Sequence, residues 1–352
     1  MSFTDCNFPI IDMRNTPKED YGLGHGEEYA KQIAELSSIR RELMLKKNPA
    51  LKDQISKLAL EQLKTSEKYN PTLFNELSNI SKSSNVSLED LIILNNYTDF
   101  RDIQLPDEGC TTISIKKDIN EVGQTWDMHG SAANYLCILL YPEKIVFSLV
   151  GCLGMMGVNK SELFIGVNNI NTLNARAALI WPMLVSHILD QGSLETMRDE
   201  LKGAPVTSGH NYLLSSKKRS EHWEISPTMQ KMPLYNEIDD NKNLVFHTNH
   251  CLDESLKLEE DNISTNSTTF DRYRIMEEFN NQTHQDLYSI LTSHEGYPKS
   301  ICSHSMSTDT DPSMTCGGGV FNHETSEFKV WRGCKKNNNY LEHSFNVKEI
   351  LS

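Results

Sequence analysis

Hydrophobic positions fall into two textures along this chain, and the change comes at residue 110. Before it, apolar residues recur at helical spacing. Tyr29, Ile33, Leu36 and Leu43 lie near one face after a Gly22-Leu23-Gly24-His25-Gly26 turn, and Leu51, Ile55, Leu58 and Leu63 repeat the pattern. Asn70-Pro71 ends that second helix, and a third is expected over roughly 72–81. Ser87-Leu88-Glu89-Asp90 has the form of a capping box opening a fourth helix, through about Asn96.

From Cys110 onward the apolar runs are short, β-prone and bounded by Gly, Asn, Pro or charge. Strands are expected at 112–115, 124–126, 135–141, 144–150 and 163–167, with Pro142-Glu143 as a hairpin turn. Helices follow at about 176–189 and 194–201, then strands at 212–214, 222–225 and 244–248. Further helices are expected at 269–278 and 284–292, and closing strands near 300–304, 314–321 and 328–332. The polar stretch 259–267 reads as a surface loop. Strands that follow one another without an intervening helix exclude a purely parallel sheet. Meanders with helices grouped outside them predict a layered α+β sandwich.

Composition narrows the function. A chain of 352 residues has ample area for a core, and its charged fraction of 23% is that of an ordinary globular protein. A net charge of −14 argues against a nucleic-acid or anionic-membrane partner. The local basic runs, Lys46-Lys47, Lys217-Lys218-Arg219 and Lys335-Lys336, read as solvated surface. No basic segment followed by an apolar one opens the sequence, and no stretch approaches the ~18 apolar residues of a membrane helix. Eight cysteines without CxxC pairs suit free thiols in a reducing compartment, so a cytoplasmic location is expected.

The candidate chemistry starts at Gly109-Cys110. The plain alternative is a small buried cysteine at the start of a strand. If the Gly109–Cys110 bond is cut, however, Cys110 gains an α-amine with a reference pKa of ~7.7–8.0, able to serve as base for its own thiol. Asp127 ends the second strand after Cys110, where a hairpin returns it beside the nucleophile or leaves it as a turn carboxylate. Asn249 follows the strand Leu244-Val245-Phe246 and offers a neutral N–H donor for an oxyanion. Arg332 ends the last strand with a fixed fork of donors. Two competing constellations are a zinc set of His247, His250 and Cys251 with His304 or Cys302, and a papain-like Cys110 with a distant histidine and Asn249. The glycines of 151–159 lack the lysine and Ser/Thr of a phosphate loop and read as a tight turn.

Taken in order, these motifs resemble the acyl-coenzyme A:6-aminopenicillanic-acid acyltransferase family of N-terminal-nucleophile hydrolases. The likeness runs through Gly109-Cys110-Thr111-Thr112, Gly123-Gln124-Thr125-Trp126-Asp127 and Gly151 to Asn168. It continues through Ala204 to Leu214, His247-Thr248-Asn249-His250, Ser300-Ile301-Cys302 with His304, and Arg332-Gly333. It implies a four-layer αββα sandwich of two antiparallel sheets. Residues 1–109 would be a helical segment released as a small chain by self-cleavage between Gly109 and Cys110, and 110–352 the catalytic core, with the two chains remaining associated. Cys110 would be the nucleophile, with Asp127, Asn249 as oxyanion donor, and Arg332 around it, and with no cofactor or metal.

The activity implied is cleavage of linear amide bonds in small N-acyl amines or amides through a Cys110 thioester. Acyl-coenzyme A-dependent transfer is the alternative, and an uncleaved, non-catalytic binding protein of the same fold is the rival. Ile180-Trp181-Pro182 and the missing proline after Arg332 depart from the fungal penicillin-enzyme pattern and point away from penicillin itself.

Overall fold

The computed structural model describes residues 8–96, 99, 109–116, 119–239, 244–261, 263, 267–280, 286–304, 311–336 and 340–352. Their strands form two sheets. The eight-stranded sheet runs in the order β1 (Ile10–Asp12), β4 (Leu136–Leu140), β5 (Lys144–Leu149), β6 (Met156–Asn159), β7 (Phe164–Asn169), β8 (His210–Ser215), β9 (Arg219–Ile225) and β10 (Gln230–Glu237). The six-stranded sheet runs β11 (Leu244–His247), β2 (Thr112–Ile115), β3 (Glu121–His129), β12 (Ser313–Asn322), β13 (Glu327–Arg332) and β14 (Leu341–Asn346). Neighbours are antiparallel throughout, except that β1 lies parallel to β4 at one edge.

The sheets face each other. Thr112 Oγ1 donates to Asn168 Oδ1 across the gap at 2.6 Å, and the Val167 N–H to Gln124 Oε1 at 2.6 Å. Helices cover both outer faces. On the eight-stranded side, Tyr141 OH bonds Glu76 of the helix Pro71–Ser84 at 2.6 Å, and Lys144 Nζ bonds the Ser186 carbonyl of the helix Trp181–Ile188 at 2.7 Å. On the six-stranded side, the helices Thr269–Asn280 and Leu287–Leu291 bury Ile275, Met276, Tyr288 and Leu291 against Ile113, Val320 and Trp331. The result is the four-layer αββα sandwich expected. No helix among the described residues is long and apolar enough to cross a membrane.

The helices before residue 97 follow from their apolar spacing. Ala30–Lys47 buries Ile33, Leu36 and Met44, and Asn70 Oδ1 caps Pro71–Ser84 by accepting from the Leu73 N–H at 3.0 Å. Ser87 caps Leu88–Asn95 in the same way. These helices share one apolar cluster with β4 to β8, so residues 8–96 have no core of their own.

Several stretches differ from the sequence reading. Gly24 and Gly26 belong to a short helix, Leu23–Glu28, that follows Gly22, and Gly26 lets it lie directly on Pro71–Ser84; a Cβ there would sit 2.1 Å from Ser83 Oγ. Segment 300–304 is irregular rather than a strand, since the Cys302 N–H goes to Ser293 O and the His304 N–H to Pro298 O, both at 3.0 Å. Helix 176–189 begins only at Trp181, with Pro182 in its first turn. β10 and β14 are edge strands without alternation, and β10 tolerates Pro233 for that reason. Of the 259–267 loop, residues 262 and 264–266 lie outside the described residues, as do 281–285, ahead of the helix that starts at Leu287.

Candidate active site

Residues 109–111 continue the β2–β3 ladder past its last paired strand residue. The Thr125 N–H donates to Thr111 O at 3.0 Å and the Asp127 N–H to Gly109 O at 2.9 Å. The hairpin therefore carries Asp127 back beside Gly109-Cys110. Cys110 is buried and lines a pocket open to solvent, with Asp127, Trp126, Met128, Val167, Trp181 and His210 among its walls.

Two groups grip the Gly109–Cys110 peptide, and a third holds the carbonyl that follows it. Besides the Asp127 N–H on the Gly109 carbonyl, Asn249 Oδ1 accepts from the Cys110 N–H at 2.7 Å, and Arg272 Nη1 donates to the Cys110 carbonyl at 2.6 Å. Arg272 also bonds Thr111 Oγ1 at 2.8 Å and Asn249 Oδ1 at 2.7 Å. The fit requires glycine at 109, since a Cβ there would lie 2.3 Å from Arg272 Nη2.

Asn249 sits on the turn after β11. Glu224 holds that turn, pairing with His247 Nε2 at 2.8 Å and accepting from the Leu252 and Asp253 N–H groups. The amide of Asn249 presents its oxygen, not its nitrogen, to residue 110, because Nδ2 donates to Asn169 O at 2.8 Å.

Asp127 is the buried acid of the site. Its Oδ1 accepts from Thr315 Oγ1 at 2.7 Å, and Thr315 is itself fixed by the Ser303 N–H at 2.8 Å. Oδ2 has no hydrogen-bond partner among the described residues. Burial pushes the carboxyl up to about 6, against the opposing pull of the Arg272 charge and the Thr315 hydroxyl. Burial likewise lowers Arg272, which the Asp127 carboxylate beside it resists. His210, in the pocket wall, is lowered to about 4 by burial.

The folding thus brings Cys110, Asp127 and Asn249 together and leaves Arg332 apart. Arg332 ends β13 opposite Gly317, does not line the pocket, and has a buried Nη1 without a partner among the described residues. Arg272 stands against Cys110 instead. Its signal was legible in principle: Arg272 shares the buried face of its helix with Ile275, Met276 and Phe279, where a charge needs a reason. The zinc set around His247 does not converge. His247 is spent on Glu224 and Thr248 O, and His250 Nδ1 on the Thr248 and Thr269 hydroxyls, while Cys302 and His304 lie with His294 and Cys334. The Asn249 amide bonds Cys110, Arg272 and Asn169, not a histidine, which removes the papain-like link.

A family model described as acyl-coenzyme A:6-aminopenicillanic acid acyl-transferase matches residues 116–334. The chain belongs to this family. The matched span holds Asp127, Asn249, Arg272 and Arg332, and begins just after Cys110. Membership in this family makes the chain an acyl-transferring enzyme. One relative is the acyl-coenzyme A:6-aminopenicillanic-acid-acyltransferase 40 kDa form of Emericella nidulans, 23% identical over 255 residues that cover 69% of each chain. Among solved structures, penicillin V acylase from Agrobacterium tumefaciens aligns at a TM-score of 0.42 with 12% identity, over 68% of this chain and 88% of that one. A mutant of conjugated bile acid hydrolase from Clostridium perfringens aligns at 0.40 with 10% identity, over 70% of this chain and 94% of that one.

Proposed function

We propose that this family member cuts itself between Gly109 and Cys110, and that the freed Cys110 then cleaves linear amides of small N-acyl compounds through a thioester. The observation that carries this reading is the grip on one peptide bond, with a donor on the Gly109 carbonyl, an acceptor on the Cys110 N–H and a buried carboxyl in the same pocket.

In the self-cleavage, Cys110 Sγ attacks the Gly109 carbonyl carbon while Asp127 takes the thiol proton. The Asp127 N–H holds the developing oxyanion, a contribution of ~3–4 kcal/mol for one well-placed donor. The C–N bond breaks, the Cys110 nitrogen takes the proton from Asp127, and water hydrolyses the Gly109 thioester to a carboxylate and a free thiol.

Turnover repeats this pattern with the α-amine as base. Asn249 Oδ1 and Asp127 Oδ2 are the acceptors that orient the amine. The substrate acyl carbonyl occupies the place of the Gly109 carbonyl, and the amine passes its proton to the leaving nitrogen. The role expected for Asn249 as oxyanion donor would require Nδ2 to leave Asn169, so the Asp127 N–H is the better-supported donor. Trp126, Met128, Val167 and Trp181 suit an apolar acyl group. Acyl-coenzyme A is the less favoured donor: its phosphates call for cations, and His210, the ionisable base among the lining residues, is held neutral by burial.

The test is electrophoresis with N-terminal sequencing of purified protein. Wild type should give two chains that co-elute, the larger beginning at Cys110, and Cys110→Ala a single full-length chain. A wild-type protein that stays whole and still hydrolyses N-acyl amines would overturn self-cleavage while leaving amide chemistry standing.

A further inference from the structure

We propose that His294, Cys302, His304 and Cys334 bind one structural Zn²⁺ in a closed Cys₂His₂ site, separate from the Cys110 pocket. The four ligand atoms lie within 4.8 Å of one another. His294 Nε2 is 3.2 Å from His304 Nε2 and 3.2 Å from Cys334 Sγ, and Cys302 Sγ is 3.7 Å from His304 Nε2. A tetrahedron with Zn–N of about 2.05 Å and Zn–S of about 2.3 Å has edges of about 3.3–3.8 Å. The observed separations are close to those edges.

The donor set selects the ion. Two thiolates and two imidazoles with no carboxylate favour zinc over magnesium, calcium or manganese, which prefer oxygen. Four protein ligands leave no open position, which marks a structural rather than a catalytic metal. The surroundings are built to hold them. The Lys336 N–H points at Cys334 Sγ at 3.4 Å, Ser300 Oγ anchors the Cys302 carbonyl at 2.6 Å, and both cysteines are buried. Binding Zn²⁺ releases the two thiol protons and forms two Zn–S and two Zn–N bonds.

The site gives the irregular segment 293–304 a reason for its shape. That segment has no strand or helix to hold it, yet Ser303, between two of the ligands, donates its N–H to Thr315, the residue that bonds Asp127. The metal would pin 293–304 to the end of β13 and so fix Asp127 from behind.

The test is metal analysis of the full chain purified under reducing conditions, which should hold about one Zn²⁺ per chain. The double variant Cys302→Ser, Cys334→Ser should lose it, and Cys251→Ser, a buried cysteine elsewhere, should keep it. Co²⁺ exchange into wild-type protein is the second reading, and it does not depend on the double variant folding. Intense visible bands and a near-ultraviolet thiolate charge-transfer band are expected of a tetrahedral site with two thiolates. Three results would overturn the proposal: zinc-free protein that takes up no Zn²⁺ after reduction, a weak octahedral Co²⁺ spectrum, or a Cys302–Cys334 disulfide in reduced preparations.

Discussion

The space between the two sheets is filled in two different ways. Between β3, β12 and β13 on one side and β4 to β7 on the other, it is apolar: Phe164 meets Phe328 edge-on at 6.3 Å, and Gly317 and Gly319 let Leu136, Phe147 and Met156 close in. Between β2 and β11 on one side and β8 and β9 on the other, it is polar. Thr112, Asn168, Asn211 and His222 form one chain of hydrogen bonds; Ser114, Ser220 and Ser215 form another, which Lys116 and His323 join. The apolar half is non-directional and supplies most of the stability. The polar half adds little net stability per bond, but each bond has a direction, and an orphaned partner is costly. The polar half is also where Cys110 and Asn249 are hung. Stability and positioning are thus divided within one layer.

Four experiments probe that division. The largest effect is expected from Arg272→Met, which removes the guanidinium from the Cys110 carbonyl, leaves Asn249 Oδ1 with the Cys110 N–H alone and takes the counter-charge from Asp127. Self-cleavage should slow by more than ~100-fold, and Arg272→Lys should not restore it because the fork is lost; wild-type rates of chain appearance on gels would contradict the assignment. Phe164→Ala, in the apolar half, should cost about 3–5 kcal/mol in denaturant unfolding while the folded fraction still cleaves at the normal rate. Loss of cleavage in folded Phe164→Ala protein would erase the distinction.

Glu224→Gln turns one acceptor of the Asn249 turn into a donor facing a backbone N–H. A cost of about 1–3 kcal/mol is expected, with a cleavage defect larger than that of any apolar variant of equal stability. The smallest effect is the pH dependence of Asp127. With a folded pKa of about 6 against 3.8 for an ordinary aspartate carboxyl, the folded state holds the proton more tightly between those values. Stability from this group should rise as pH falls through 6, and cleavage, which needs the carboxylate, should fall about tenfold per pH unit below it. Stopped-time cleavage assays across pH would show both the limb and its loss in Asp127→Asn.

Much of this was legible before any coordinates. The helical spacing of Ile33, Leu36 and Ile55, the cap at Ser87 and the return of Asp127 beside Cys110 are local consequences of periodicity and turn chemistry. The pattern of its helix marks Arg272 as a charge on a buried face, but not that this face meets Cys110, because one helix pattern does not say which strand it will pack on. The direction of the Asn249 amide was hidden for a similar reason, since only the docked Asn169 carbonyl decides it. The Cys₂His₂ cluster joins residues 293–304 to Cys334 across two intervening strands, and no regular ligand spacing announces it. β1, three residues long and parallel at an edge, carries no pattern at all.

That edge strand and the helices after it have a consequence for the mature enzyme. They lie before the proposed cut, yet they pack in the same core as β4 to β8. Cutting Gly109–Cys110 would turn a folding problem into an assembly problem, because core and cover would then be separate molecules. Refolding of the cut protein would be second order, its melting temperature would climb with concentration, and the uncut Cys110→Ala chain would show neither behaviour. The enzyme would be made once, while the chain is still whole.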